Sequence, residues 1–197
     1  MTPRLVLASA SPARLKTLRS AGLDPEVVVS GVDETGVDTG TPGTTAVELA
    51  RRKAAAVAEM LDGPALVVGC DSVLALGDAV HGKPASAQEA VAHWRRMRGG
   101  YGVLHTGHCV VDGTTGRSDQ ALESTTVWFA DLTDAEIEAY VATGEPLEVA
   151  GAFTLDGLGG AFVRRIDGDP HNVVGISLPL LREMFAEFGV VWTDLWR

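Results

Sequence analysis

ALVVGC, from Ala65 to Cys70, contains no charged or hydroxyl-bearing side chain, and Asp71 follows it directly. A short apolar run with paired valines reads as a strand covered on both faces, the kind found inside a sheet with helices packed on either side. No other segment constrains the fold as strongly, because this one calls for a layered α/β arrangement. It also poses a chemical question. A carboxylate at the end of a buried apolar strand is costly unless it is paired, metal-bound or exposed in a cleft.

The flanking segments suit such layers. Leu5 to Ala8 reads as another buried strand. Pro12 to Ala21 reads as a helix capped by Ser11, with proline in its first turn and Gly22 at its end. Glu26 to Ser30 is a further strand, and the turn-rich GVDETGVDTGTPGTT after it is long enough to be functional. Ala46 to Leu61 is the clearest helix, rich in Ala, Leu, Glu, Arg and Lys. Val73 to Val80 reads as a hairpin about Gly77 and Asp78. Ser86 to Met97 reads as a helix with a Ser86–Glu89 capping box, and Thr133 to Val141 as a shorter one of the same design. Val103 to Val111 and Leu122 to Ala130 are long strands around DGTTG. Strands are expected around Ala152–Leu155 and Ala161–Ile166, and a last helix from Leu178 to Phe188. The expected class is α/β (mixed α+β), with two lobes around a central mixed sheet and a deep cleft between them.

Composition narrows the partners. The 197 residues are 46% hydrophobic and 21% charged, with a net charge of −10, the balance of an ordinary globular chain. No Lys/Arg run supplies the basic face that polymeric nucleic acid needs. A phosphate-bearing small molecule stays open, because a few converging cations reverse the field inside one cleft. Cys70 and Cys109 lie in apolar stretches and read as small core residues. MTPRLVLASAS lacks the long apolar stretch of a signal peptide, and no apolar run is long enough for a bilayer, so no membrane partner and a cytoplasmic location are expected.

Several polar groups sit where apolar elements end. In LVLASASPARL a helix N-terminus, with its unpaired N–H donors, is joined by the hydroxyls of Ser9 and Ser11 and the guanidinium fork of Arg14, a set suited to phosphate oxygens. The bland alternative makes Ser11 a simple cap and Arg14 a surface charge. VDE, Val32 to Glu34, offers two adjacent carboxylates that would suit a hard cation such as Mg²⁺, although an Asx turn explains a loop aspartate equally well. Asp71 in GCDS is the leading candidate for a general base or metal ligand. Lys83 in HGKP is a fixed point charge for a phosphate, and Lys53 in ARRKAAA is either another or part of a solvated helix face. His105 and His108 fall three apart in a strand, on opposite faces, so they do not form a zinc pair.

These pieces in this order resemble the Maf-like nucleoside triphosphate pyrophosphatases, also called septum formation inhibitor Maf. LVLASASPAR resembles that family's opening L-x-LAS-x-SPRR, VDE its acidic pair, LARRKA its LA-x-x-KA helix, GCDS its GADT and GKP its G/E-KP. The tail from GEPLEVAGAF to NVVGISLPLL is similar to the family's closing blocks, so the likeness spans nearly the whole chain. The resemblance implies an architecture related to the inosine-triphosphate pyrophosphatases, and hydrolysis of a nucleoside triphosphate to monophosphate and pyrophosphate with a divalent cation, Mg²⁺ or Mn²⁺. It implies Asp71 as the proton acceptor, Glu34 and Asp71 at the metal, and Ser9, Ser11, Arg14, Lys53 and Lys83 on the phosphates.

Departures from the pattern concern specificity. Ala13 stands where the family has arginine, Ser72 where it has threonine, and Asp156 where it has glutamine; Val149 and Gly102 replace a lysine and a histidine. The first three align with positions that separate the family's dTTP/UTP branch from its methylated-GTP branch, and this chain matches neither. A regulatory protein of septum formation, acting through contacts or nucleotide binding without turnover, is the alternative reading. Against it, such a regulator has no need of Asp71, Glu34 and both lysines together. A homodimer is the default expectation for an enzyme of this size.

Overall fold

The apolar strand does not stop at Asp71. In the computed structural model, which describes residues 3–77 and 79–197, it is β3 (Leu66–Leu76), buried at every position but Ser72 and Leu76. Asp71 therefore lies inside a strand rather than at its end. In the order of the chain the other elements are β1 (Leu5–Leu7), α1 (Pro12–Ser20), β2 (Glu26–Val27), α2 (Pro42–Met60), β4 (Ala79–His81), α3 (Ala87–Met97), β5 (Tyr101–Asp112), β6 (Ser118–Phe129), α4 (Asp134–Ala142), β7 (Val163–Asp167), α5 (Pro170–Val174) and α6 (Leu178–Glu187). The strand order is β2-β1-β3-β5-β6-β7, with β4 hydrogen-bonded to β3. The sheet is mixed, as expected. β1 pairs in parallel with β2 and β3, whereas β3–β4 and β6–β7 are antiparallel.

Two compact units share these elements. The first holds Met1–Asp71, Thr106–Glu123 and Gly175–Arg197, and the second Ser72–His105 and Ser124–Val174. Inside the first unit the alternation of β3 sorts its side chains between two cores. Leu66, Val68 and Cys70 join Leu5, Leu7, Leu18, Leu181 and Phe185 on one face. Val67 joins Val6, Ala50, Ala54, Val57 and Cys109 on the face covered by α2. The second unit is built around Trp94, which is fully buried, donates its indole N–H to Ala152 O at 2.8 Å and meets Phe129, Tyr140 and Phe162 edge-on.

Several boundaries differ from the expected ones. β2 covers only Glu26–Val27. α2 begins four residues early, because Thr41 caps it and forms a capping box with Thr44 in its first turn, which opens with Pro42. Ser86 caps α3 by accepting Glu89 N–H at 3.2 Å, but the Glu89 carboxylate takes the Ala85 N–H instead of closing the box. The strand expected around Ala152–Leu155 is absent from the described residues. There the chain turns through 3₁₀ segments at Glu145–Glu148, Ala150–Ala152 and Leu158–Phe162, and positive φ at Gly151 and Ala152 breaks the extended path. α5 was not anticipated. Asp78, half of the expected hairpin turn, lies outside the described residues.

Candidate functional site

Two clusters of polar side chains form just past the parallel pairing of β1 and β3, which runs as far as Leu7 and Val68. Ligands of α/β proteins gather at such carboxyl ends. The first cluster follows β1. Ser9 is buried, and its Oγ accepts the Ser11 N–H at 3.2 Å and an Arg14 Nη1–H at 3.0 Å. Both acceptances leave the hydroxyl proton of Ser9 to donate. Ser11 caps α1 by accepting the Arg14 N–H at 3.4 Å, with Pro12 in the first turn. Arg14 Nε donates to Gly175 O at 2.7 Å, so its fork is anchored at one end by backbone and aimed at Ser9 by the other. Ala13 lies half-buried in the same turn. Ser11 is thus a cap, as the bland reading has it, while Arg14 is more than a surface charge.

The second cluster depends on how closely α2 approaches the sheet. Ala46, Ala50 and Ala54 recur every four residues and form a smooth stripe along one side of the helix. A Cβ added at Gly69 would collide with the Ala50 carbonyl oxygen, and one at Gly107 with the backbone of Ala46. These glycines are small so that helix backbone can lie on strand backbone. Asp71 is two residues beyond Gly69 and so faces α2, where Lys53 adjoins the stripe.

The result is a buried ion pair of 2.6 Å between Lys53 Nζ and Asp71 Oδ1, with the two side chains about one-tenth exposed. Glu34 completes it from the loop after β2, its Oε1 lying 2.7 Å from the same Nζ while half of its side chain remains exposed. Lys53 is therefore no part of a solvated helix face. Its neighbours Arg51 and Arg52 are, and both bind Glu48, at 2.8 and 2.7 Å, drawing that carboxyl down to about 2. The paired acids of VDE divide their work. Asp33 accepts the N–H and hydroxyl of Thr35 at 2.9 and 2.7 Å, forming the Asx turn and holding its own pKa below the ordinary value, and Glu34 reaches the lysine.

Cys70 directly precedes Asp71 in β3 and is fully buried. Burial pushes its thiol up to about 11, and the charges of Arg14, Asp71 and Lys53 all act on it. Cys109 is likewise buried and raised to about 12, so both are inert core residues.

The remaining expected residues lie in the second unit. Lys83 is exposed between Gly82 and Pro84 and pairs with Glu148 at 2.6 Å. Glu148 lies in the GEPLEVAGAF block but is not among the expected site residues. Ser72 is half-buried within β3, and Asp156 is exposed in the turn after Thr154. That turn is ordered by Glu145, another residue that composition did not single out. Its carboxylate accepts from Tyr140, Thr154, Leu158 N and Gly159 N, and these bonds overcome burial to bring it to about 2.

Glu34 and Asp71 give two hard oxygen donors converging on one point. That set fits a divalent cation which takes its other ligands from water and phosphate oxygens, as Mg²⁺ does. Among the described residues no group of three or more His, Cys, Asp or Glu is arranged to hold a metal by itself. His105 and His108 meet separate partners, Ser124 Oγ at 2.8 Å for the one, and Thr106 O and the Ser177 N–H for the other. Among the described residues no helix is long and apolar enough to cross a membrane.

Comparison with known proteins adds three findings. A family model described as Maf-like protein matches residues 4–188. Curated relatives named nucleoside triphosphate pyrophosphatase include one from Salinispora tropica, 58% identical over 98% of this chain and 87% of its own length. Others come from Streptomyces coelicolor, at 57% identity, and Synechococcus elongatus, at 55%; each comparison covers all of this chain and 98% of the relative. A solved nucleoside-triphosphatase (dITP/XTP pyrophosphatase) from Mycobacterium abscessus overlaps with a TM-score of 0.36 at 16% identity, over 65% of this chain and 74% of that one, and a likeness of that size carries no inference.

Proposed function

We propose, on the premise that this chain belongs to the Maf-like protein family, that it hydrolyses a nucleoside triphosphate to the monophosphate and pyrophosphate. The relatives' shared name supports the enzyme over the regulatory reading. The observation that carries the proposal is the buried Lys53 ammonium between Asp71 and Glu34, in the same unit as the Ser9–Arg14 cluster.

In this reading the donors after β1 take the phosphate chain. Ser9 gives the one proton its bonding pattern leaves over, the first turn of α1 gives its N–H groups and partial positive charge, and Arg14 gives its anchored fork. Lys53 and Lys83 add point charges. Asp71 accepts the proton of a water whose oxygen attacks the α-phosphorus in line with the departing pyrophosphate, so one P–O bond forms as the bridging one breaks. Before substrate binds, Lys53 holds that carboxylate in place through the 2.6 Å ion pair. Glu34 and Asp71 would hold the divalent cation, Mg²⁺ or Mn²⁺, which when bound offsets charge on the phosphate oxygens and the leaving group. Positioning and charge stabilisation supply most of the rate, and the base contributes about 10²–10⁴-fold.

Ala13, Ser72 and Asp156 are the proposed specificity positions, and Asp156, an acceptor, favours a base edge rich in donors. The proposal includes a homodimer in the cytoplasm, which sedimentation and fractionation would check. The decisive assay is pyrophosphate release from a panel of common and modified nucleoside triphosphates with Mg²⁺ or Mn²⁺. The Asp71→Asn variant should lose about 10²–10⁴-fold in turnover. Equal rates for variant and wild type would remove Asp71 from the mechanism, and no turnover of any nucleotide by the wild type would sink the enzyme reading.

A further inference from the structure

Lys53 occupies the very point at which the two carboxylates converge. Its Nζ lies 2.7 Å from Glu34 Oε1 and 2.6 Å from Asp71 Oδ1. A divalent cation bridging those same oxygens, at the roughly 2.0–2.1 Å typical of Mg²⁺, would need the volume that the ammonium fills. From this overlap we infer that Lys53 and the divalent cation compete for Glu34 and Asp71, so that the metal enters together with a polyphosphate able to take the ammonium over. The inference rests on the proposed metal role of these two acids.

The fold restricts how the exchange can happen. α2 is pressed backbone-to-backbone on Gly69, so the helix has no room to carry Lys53 further inward, and the flexible side chain is the part free to move. Asp71 is fixed inside β3, whereas Glu34 sits on a loop with half its side chain exposed. Charge favours the same order. The trio of one ammonium and two carboxylates carries a net −1. A dication placed between the carboxylates releases the ammonium as a free positive charge, which an incoming phosphate chain stabilises. Metal and polyphosphate are then coupled through Lys53, and by linkage each strengthens the binding of the other.

The test is a titration of nucleotide-free protein with Mn²⁺, followed by the loss of the free-ion electron paramagnetic resonance signal. Lys53→Met should bind Mn²⁺ more tightly than wild type by about 5–150-fold, the usual span of such couplings, whereas Lys53→Arg should stay close to wild type. Adding Asp71→Asn to Lys53→Met should abolish the gain. Equal Mn²⁺ affinity in wild type and Lys53→Met, with both still dependent on Asp71, would overturn the competition and leave the metal role intact. Binding that ignores Asp71 in every background would overturn the metal role itself. Lys53→Met leaves two carboxylates facing each other, and if it has no cooperative melt alone, Mn²⁺ must restore one; failure of that rescue also counts against the competition.

Discussion

Side chains of one type, adjacent in sequence, take different work here because of where their neighbours direct them. In the RRK of α2, Glu48 lies three and four residues before the two arginines and pairs with both, which leaves Lys53 to turn inward. In VDE, Asp33 closes a turn on Thr35 and Glu34 extends to Lys53. The spacing of Glu48 was readable from the sequence. The inward turn of Lys53 was not, because it depends on Asp71, eighteen residues away. Glu34→Gln separates the two duties of the acidic pair. It weakens a half-exposed ion pair, so stability should change by no more than about 0.5 kcal/mol. Turnover should nevertheless fall by about 10–100-fold, the scale of losing one oriented group around a metal. Thermal melts and steady-state rates at fixed Mg²⁺ check both halves, and an unchanged kcat would remove Glu34 from the site.

At the level of elements, the sequence identified the helix on its composition and the strand on its apolar run. What it left hidden was their contact. The stripe Ala46, Ala50, Ala54 and the glycines opposite, Gly69 and Gly107, have meaning only once α2 lies across β3 and β5. Asp71 was singled out for the wrong local reason. The apolar run alone places it at the end of a strand, whereas it sits within one and is tolerated because Lys53 pairs with it. The strand wrongly expected around Ala152–Leu155 has the opposite cause. Ala152, Phe153 and Leu155 are apolar, but Glu145 gathers the turn around itself through Thr154 and Gly159, and Gly151 and Ala152 take positive φ. Gly69→Ala tests the close contact. Its methyl would force α2 off the sheet, at an overpacking cost of about 1–3 kcal/mol. Because the same movement carries Lys53 away from Asp71 and from the phosphates it would take over, turnover should fall further than the loss of folded protein accounts for. Rates normalised to the folded fraction measure this, and a variant as active per folded molecule as wild type would show that the approach of α2 does not set the Lys53–Asp71 pair.

Across the whole molecule, the two-unit division left no linker to find, because three of its four crossings fall inside strands, between Asp71 and Ser72, His105 and Thr106, and Glu123 and Ser124. A boundary inside a strand has no Gly/Pro/Ser-rich composition to mark it. The unit that holds Trp94 also holds a pair of buried histidines that the proposed chemistry does not use. His81 and His93 are 4% and 6% exposed, with ring centroids 4.3 Å apart in an edge contact. Among the described residues, His81 Nε2 and His93 Nδ1 have no hydrogen-bond partner, and both are buried. Burial lowers both pKa values from the ordinary 6.5; Arg96 acts in the same direction on both, and Glu89, 3.5 Å from His93 Nε2, opposes it. Both rings are thus neutral in the fold at neutral pH. As pH falls below about 6.5 the unfolded chain takes up protons that the folded chain does not, so stability present above 6.5 declines toward the lowered folded values. Each ring adds up to about 1.4 kcal/mol per pH unit in that window. The acids held near 2, Glu48 and Glu145, lose their contribution only below about 4.5, so the two windows are separable. Urea melts stepped downward from neutral pH should show a first decline just below 6.5 and a second below 4.5. His81→Phe keeps the ring contact and removes one unpaired nitrogen, so it should flatten the first decline by about one proton and leave the second alone. A first decline of undiminished slope in that variant would mean that some group other than His81 senses acid in this range.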